Sequence, residues 1–138
     1  MKKLLILFLV FAAGCNENPV GPTGASLDQQ FSLQPGQEVL IRDVNLVLKF
    51  QSVTEDSRCP DNARCIWAGN GKLLIELRES GRPSYSTTIN TLLDPRVICY
   101  LNYQVHLLGL APYPHAPDRI NPGDYIARFV VTRGCGSP

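Results

Sequence analysis

Over residues 45–53 the chain alternates, with Leu46, Leu48 and Phe50 on one side and Lys49 and Gln51 on the other. A period of two sets one face of an extended segment against a core and the other toward solvent, so this stretch predicts a half-buried β-strand. The pattern recurs where Leu73, Ile75 and Leu77 alternate with Leu74, Glu76 and Arg78, and again at Tyr85, Thr87 and Ile89. Ser80-Gly81-Arg82-Pro83 lies between those two runs and predicts a hairpin. Upstream, Phe31-Ser32-Leu33 and Val39-Leu40-Ile41 flank Pro35-Gly36, which predicts two short strands joined by a tight turn. Leu92-Leu93-Asp94-Pro95 reads as a connection into one longer strand region over 97–108, with Tyr103, Val105 and Leu107 in register. The closing strand spans 124–133, where Tyr125, Ala127, Phe129 and Val131 oppose Arg128 and Thr132.

Between these last two regions, residues 109–123 contain Pro112, Pro114, Pro117 and Pro122. Each proline lacks a backbone donor, so the segment predicts a long, stiff loop crossing the domain. Beyond the N-terminal apolar run no segment repeats with a 3.6-residue period. The expected fold is all-β, a single antiparallel β-sandwich of immunoglobulin-like size with about seven strands. A small β-barrel is the alternative, because alternation does not distinguish a closed sheet from two packed ones.

The N-terminus adds a location. Lys2-Lys3, an apolar run over 4–13 and Gly14-Cys15 are the parts of a secretory signal, and the run is too short to span a bilayer, which takes roughly 20 residues. Ala12-Ala13-Gly14-Cys15 resembles the lipobox of bacterial lipoproteins, although Ala12 replaces the usual leucine. The resemblance implies a signal peptide over 1–14, an acylated Cys15, a flexible tether through residue 27 and the sandwich over 28–138. Ordinary signal cleavage near Ala13 is the alternative. Acyl chains such as palmitate would hold the protein to a membrane, at roughly 0.8 kcal/mol per buried methylene. Asn16, where aspartate would imply inner-membrane retention, points to the outer membrane or surface of a bacterial cell envelope. Asn18-Pro19-Val20-Gly21-Pro22-Thr23-Gly24 suits a tether. Without Lys2 and Lys3 the thirteen basic residues fall to eleven, against twelve acidic ones. That balance offers nucleic acid no field to follow.

With Cys15 assigned to lipid, Cys59, Cys65, Cys99 and Cys135 form an even set in an exported chain, where disulfides are expected. Proximity pairs Cys59 with Cys65, and elimination then pairs Cys99 with Cys135. The shorter loop would contribute roughly 2 kcal/mol and the longer roughly 4 on the chain-entropy account.

Special residues are densest over 56–70, which holds Cys59, Cys65 and the single tryptophan. Trp67 is expected to pack over the Cys59–Cys65 bridge with its indole N–H on a loop carbonyl, the alternative being an exposed aromatic at a binding surface. Gly69-Asn70-Gly71 reads as a bulge or turn, since a strand and no helix follows it. Glu55, Asp56 and Asp61 could gather around calcium, but Arg58 and Arg64 are expected to pair with them instead. His106 and His115 lack companion ligands, and no metal or cofactor is expected. Ser57, Asp56 and His106 make a triad only on paper, and no nucleophile elbow or catalytic cysteine signature is present. Tyr113 and His115, held between prolines, offer a preorganised binding edge, or else Tyr113 pins the strap to the sandwich.

Asp56-Ser57-Arg58-Cys59-Pro60 followed by Cys65-Ile66-Trp67-Ala68-Gly69-Asn70 resembles a signature of small bacterial lipoproteins, and the similarity extends over about 31–131. The family has no assigned activity, so the resemblance implies an anchored β domain and transfers no catalytic residue; Cys99 and Cys135 lie outside the signature. The expected function is therefore a non-enzymatic binding module with Trp67, Tyr113 and His115 as candidate contacts for an envelope protein or glycan. An inhibitor of an extracellular hydrolase, and a hydrolase or metal-dependent enzyme, are the alternatives.

Overall fold

The computed structural model describes residues 24–135. Cys15, with the expected signal and most of the expected tether, lies outside the described residues. The strands are β1 (Gln30–Leu33), β2 (Glu38–Ile41), β3 (Leu46–Asp56), β4 (Gly71–Glu79), β5 (Tyr85–Asn90), β6 (Val97–Tyr100), β7 (Tyr103–Ala111) and β8 (Ile126–Arg133). They form two antiparallel four-stranded sheets, ordered β2-β3-β4-β5 and β1-β8-β7-β6. The chain is thus an all-β sandwich.

Three details differ from the expectation. The region over 97–108 is two strands, because Leu101 adopts a positive φ of 54° and turns the chain so that Tyr100 faces Tyr103. No glycine or proline marks that turn, which is why it is silent in the sequence. β7 also runs on through Ala111, so the proline-rich connection starts at Pro112. It does not cross the sandwich, because it joins the adjacent strands β7 and β8 and folds back over one end.

Packing also begins earlier than residue 28. Ala25 is buried and bridges Ile41, and Leu27 packs against the core with its N–H on Asp43.

The alternating residues do what their period demands. Leu46, Leu48, Phe50, Leu73, Ile75 and Leu77 are sealed inside one sheet, and they meet Leu33, Val105, Ala127, Phe129 and Val131 of the other. Phe129 bridges the layers, with its ring 6.1 Å from that of Phe31 and 6.3 Å from that of Phe50. Each such side chain contributes roughly 1.5–3 kcal/mol by leaving water.

Within the two sheets successive strands pair from β2 to β5 and from β6 to β8, and β8 pairs back to β1. A barrel would need ladders between β1 and β2 and between β5 and β6, and no register joins either pair. At the second seam side chains close the gap, with Tyr85 of β5 stacked on Tyr100 of β6 at 5.7 Å.

The two ends of the sandwich are unlike. At one, Ile41 pairs with Leu46, Leu46 with Glu79, and Tyr103 with Arg133, and Gly24 accepts a hydrogen bond from Arg42. The other gathers the long loops β3–β4, β5–β6 and β7–β8. The nine residues of β4 separate the two ends by roughly 25 Å.

Phe129→Ala should lower unfolding stability by about 3–5 kcal/mol, through lost transfer energy and the cavity left between the sheets. Leu40→Ala, on the outer face of β2, should change it by no more than about 0.5 kcal/mol. Urea denaturation of the two variants checks this contrast.

Candidate functional site

The loop-bearing end is assembled around Arg58. β3 ends on Asp56, and two residues on, the Arg58 side chain turns inward until it is only 4% exposed. Its Nε donates to Asp56 Oδ1 at 2.8 Å and its Nη2 to Asp56 Oδ2 at 2.7 Å, a two-pronged pair. The remaining reach of the guanidinium goes to the carbonyls of Leu110 and Pro112, where β7 becomes the proline-rich loop. Tyr125, just ahead of β8, donates its hydroxyl to Asp56 Oδ2 at 3.0 Å. The Arg58–Asp56 pair thereby ties the β3–β4 loop to both ends of the β7–β8 loop.

Burial on its own raises the pKa of Asp56, but the hydrogen bonds and charge of Arg58 outweigh it and hold the carboxyl below its usual value. Tyr125 is pushed up to about 12, by burial first and then by its hydrogen bond to Asp56 and the charge there. It therefore remains a donor at neutral pH.

The rest of the 56–70 segment is locked in the same manner. Ser57 N–H bonds the Asn70 carbonyl, Cys59 N–H bonds the Ala68 carbonyl, and Cys59 is joined to Cys65 with Cα atoms 5.9 Å apart. Gly69 has φ +74°, and a Cβ there would stand 1.8 Å from the Ser57 carbonyl oxygen, so only glycine fits. Asn70 is buried, donating to Asn90 Oδ1 and accepting from the N–H groups of Leu92 and Leu93. This fixes the β5–β6 loop to the β3–β4 loop.

Trp67 is not a core residue. It is 54% exposed, and its neighbour Ile66 stands wholly clear of the fold. The Cys59 N–H to Ala68 carbonyl bond closes the loop just after Trp67, and the Cys59–Cys65 disulfide staples it within that closure. Tyr113 is half-exposed, with its ring 5.1 Å from Arg58 Cζ, so it both caps the guanidinium and faces solvent. His115 reaches back to the disulfide loop. Its Nδ1 donates to Asp61 Oδ1 at 2.6 Å, while Asn62 donates to the Ala116 carbonyl and accepts from the Ala116 N–H.

The other candidates stay apart. Ser57 Oγ bonds Asn70, whereas His106 lies on β7 with its Nε2 3.3 Å from Thr132 Oγ1, so the paper triad is not assembled. Glu55, Asp56 and Asp61 each face their own partner, namely Lys72, Arg58 and His115. Arg64, expected to pair with these carboxylates, points to solvent and forms no ion pair among the described residues. Cys99 and Cys135 are bonded at the opposite end, tying β6 to the tail of β8.

Sequence reasoning missed the burial of Arg58, the paired Asn70 and Asn90, and the Asp61–His115 clamp. Only the first left a local trace, an acid two residues before an arginine at a strand end.

A hollow of about 320 Å³ opens beside Tyr113, walled by Ala68, Gly69, Thr91, Leu92 and Leu110, with Arg58 at its base. Apolar walls and a few fixed polar groups are the make-up of a recognition site. Comparison with protein-family models, curated proteins and solved structures finds no match for this chain.

Because the folded Asp56 titrates below the 3.8 of a free aspartate, its pairing stabilises the fold fully above that value and fades as pH falls through the folded pKa. The deficit of Asp56→Asn relative to wild type should thus be greatest near neutral pH and shrink below about pH 4. Arg58→Met, which strands the buried carboxylate, should cost about 3–5 kcal/mol at pH 7. Urea midpoints measured across pH test both.

Proposed function

We propose that the protein is a lipid-anchored lipoprotein of the bacterial cell envelope that binds a protein or glycan partner through its loop-bearing end. The single observation that carries the binding reading is Ile66-Trp67. Two large apolar side chains are held in water by a loop fixed with a disulfide, a backbone hydrogen bond and the Asp61–His115 clamp. Leaving an isoleucine in water forfeits roughly 1.5–3 kcal/mol of burial energy, which a partner's pocket can recover. Because the loop is already ordered, little entropy is lost on binding.

The anchor supports the same reading. The described chain starts at Gly24 beside Arg42, at the end of the sandwich remote from the loops. A tether running from an acylated Cys15 to that point would turn Ile66, Trp67 and Tyr113 away from the membrane that holds the lipid. The reading is non-enzymatic, because Asp56 and Arg58, and Asp61 and His115, are paired with one another at this end.

A second reading, inhibition of an extracellular hydrolase, draws on the same protrusion. A stapled loop carrying a fully exposed isoleucine has the shape of a wedge for a cleft.

Cys15→Ser should move the protein from the detergent phase to the aqueous phase in a detergent-partition assay and abolish fatty-acid labelling. A photo-crosslinking residue at position 66 in intact cells should give a discrete adduct, and one at position 86, on β5, should give none. Equal labelling from both positions, or none from either, removes the loop tip from the proposal. Ile66→Ser should leave the unfolding midpoint nearly unchanged, as expected for a fully exposed side chain, and Trp67→Ala should lower it only slightly because that side chain is half-exposed.

A further inference from the structure

The two outer faces of the sandwich carry different chemistry. On the β2–β5 sheet, Glu38, Lys72, Glu76 and Arg78 point outward, and Arg78 bridges Glu38 and Glu76 while Lys72 meets Glu55. Such a surface satisfies itself. On the β1–β6 sheet, register and burial turn Ser32, His106, Ile126, Arg128, Val130 and Thr132 outward, joined by exposed Val97 and Leu108. No acidic residue lies on any of that sheet's four strands. Arg128 is its only permanent charge short of the end of β8, and its side chain has no ion-pair or hydrogen-bond partner among the described residues.

Arg128 also borders a hollow. Its guanidinium lies across Gly109, 3.8 Å from where a Cβ would stand, so the absent side chain leaves the strand surface open. Together with Ser32, Leu110, Ala111 and Ile126 these residues line a cavity of about 290 Å³. Gly109 and Leu110 also line the hollow beside Tyr113, so the two cavities adjoin around the end of β7.

We propose that this hollow binds the C-terminal carboxylate of a peptide, with Arg128 pairing the carboxylate and the last side chain, an apolar one, lying against Ile126 and Ala111, which pair in register on the outer face. A guanidinium fork matches a carboxylate in geometry as well as charge, and the Ser32 hydroxyl supplies a further donor. In a C-terminal residue the carboxylate and the side chain hang from one Cα, which suits a hollow too short to separate them. The walls also favour peptide over glycan, because aliphatic groups and glycine line the cavity where a sugar would need many donors and acceptors. The peptide would then run back toward the hollow beside Tyr113. This surface is distinct from the Ile66-Trp67 tip and is tested separately from it.

The experiment is a titration of the isotope-labelled full chain with N-acetyl-leucine and with its neutral amide, followed by backbone amide resonances. The free acid should shift Ser32, Gly109, Ala111, Ile126 and Arg128 at least about ten-fold more tightly than the amide, as losing one charge-assisted pair predicts. Arg128→Gln should abolish those shifts while the remaining spectrum stays folded, Arg128→Lys should retain part of them, and Trp67→Ala should leave them intact. Equal shifts from the amide, shifts that persist in Arg128→Gln, or no shifts at millimolar acid would overturn the proposal.

Discussion

A guanidinium leaves water at a cost of several kcal/mol unless its donors are met, and the loop-bearing end is built to meet those of Arg58. The carboxylate comes from Asp56, the carbonyls from Leu110 and Pro112, and the aromatic lid from Tyr113. Asp56 and Leu110 sit at the ends of β3 and β7, and Pro112 and Tyr113 lie just beyond β7. The β7–β8 connection therefore has a fixed path because an ion pair it approaches would otherwise be stranded, and Tyr125 completes that pair from the other side. Polar groups here perform the organising task that Phe129 performs between the sheets.

The strands were legible because one face of each is sealed, and a period of two survives in the sequence wherever that holds, as in Leu46-Leu48-Phe50 and Leu73-Ile75-Leu77. Both disulfides follow from cysteine number and spacing. The β6–β7 turn was hidden because Leu101 occupies a left-handed conformation normally signalled by glycine or asparagine. Trp67 misled for an instructive reason. Its type suggests burial, but exposure is decided by the path of the loop that carries it, and side-chain identity does not record that. The Asp61–His115 contact joins residues far apart in the chain and lacks any local pattern.

Viewed from outside, the molecule divides its polar chemistry unevenly. The face of β2–β5 neutralises itself through crossed pairs, the loop-bearing end pairs Arg58 with Asp56 and His115 with Asp61, and the face of β1–β6 keeps one arginine without a counterion among the described residues. Exposed apolar groups occur on all three, Leu40 and Tyr85 on the β2–β5 sheet included, but Ile66, Trp67, Tyr113, Ile126 and Leu108 lie on the last two regions. Recognition is supported on the surfaces where apolar exposure and rigid backbone coincide.

The order of the strands bears on how the chain reaches this state. β2 to β5 and β6 to β8 are each made by successive neighbours folding back on one another, so their contacts are local and their loop-closure costs small. Only the pairing of β1 with β8 joins the two extremes of the domain, setting Gln30 opposite Val130. That ladder is four residues long and has the greatest sequence separation of the described strand pairings, so its closure costs the most chain entropy. Both ends of the described chain leave from that neighbourhood. Joining them with a short linker and cutting the Ser80-Gly81-Arg82 turn would give a circular permutant in which the costly closure becomes a local hairpin and the most distant pairing moves to the middle of the original sequence.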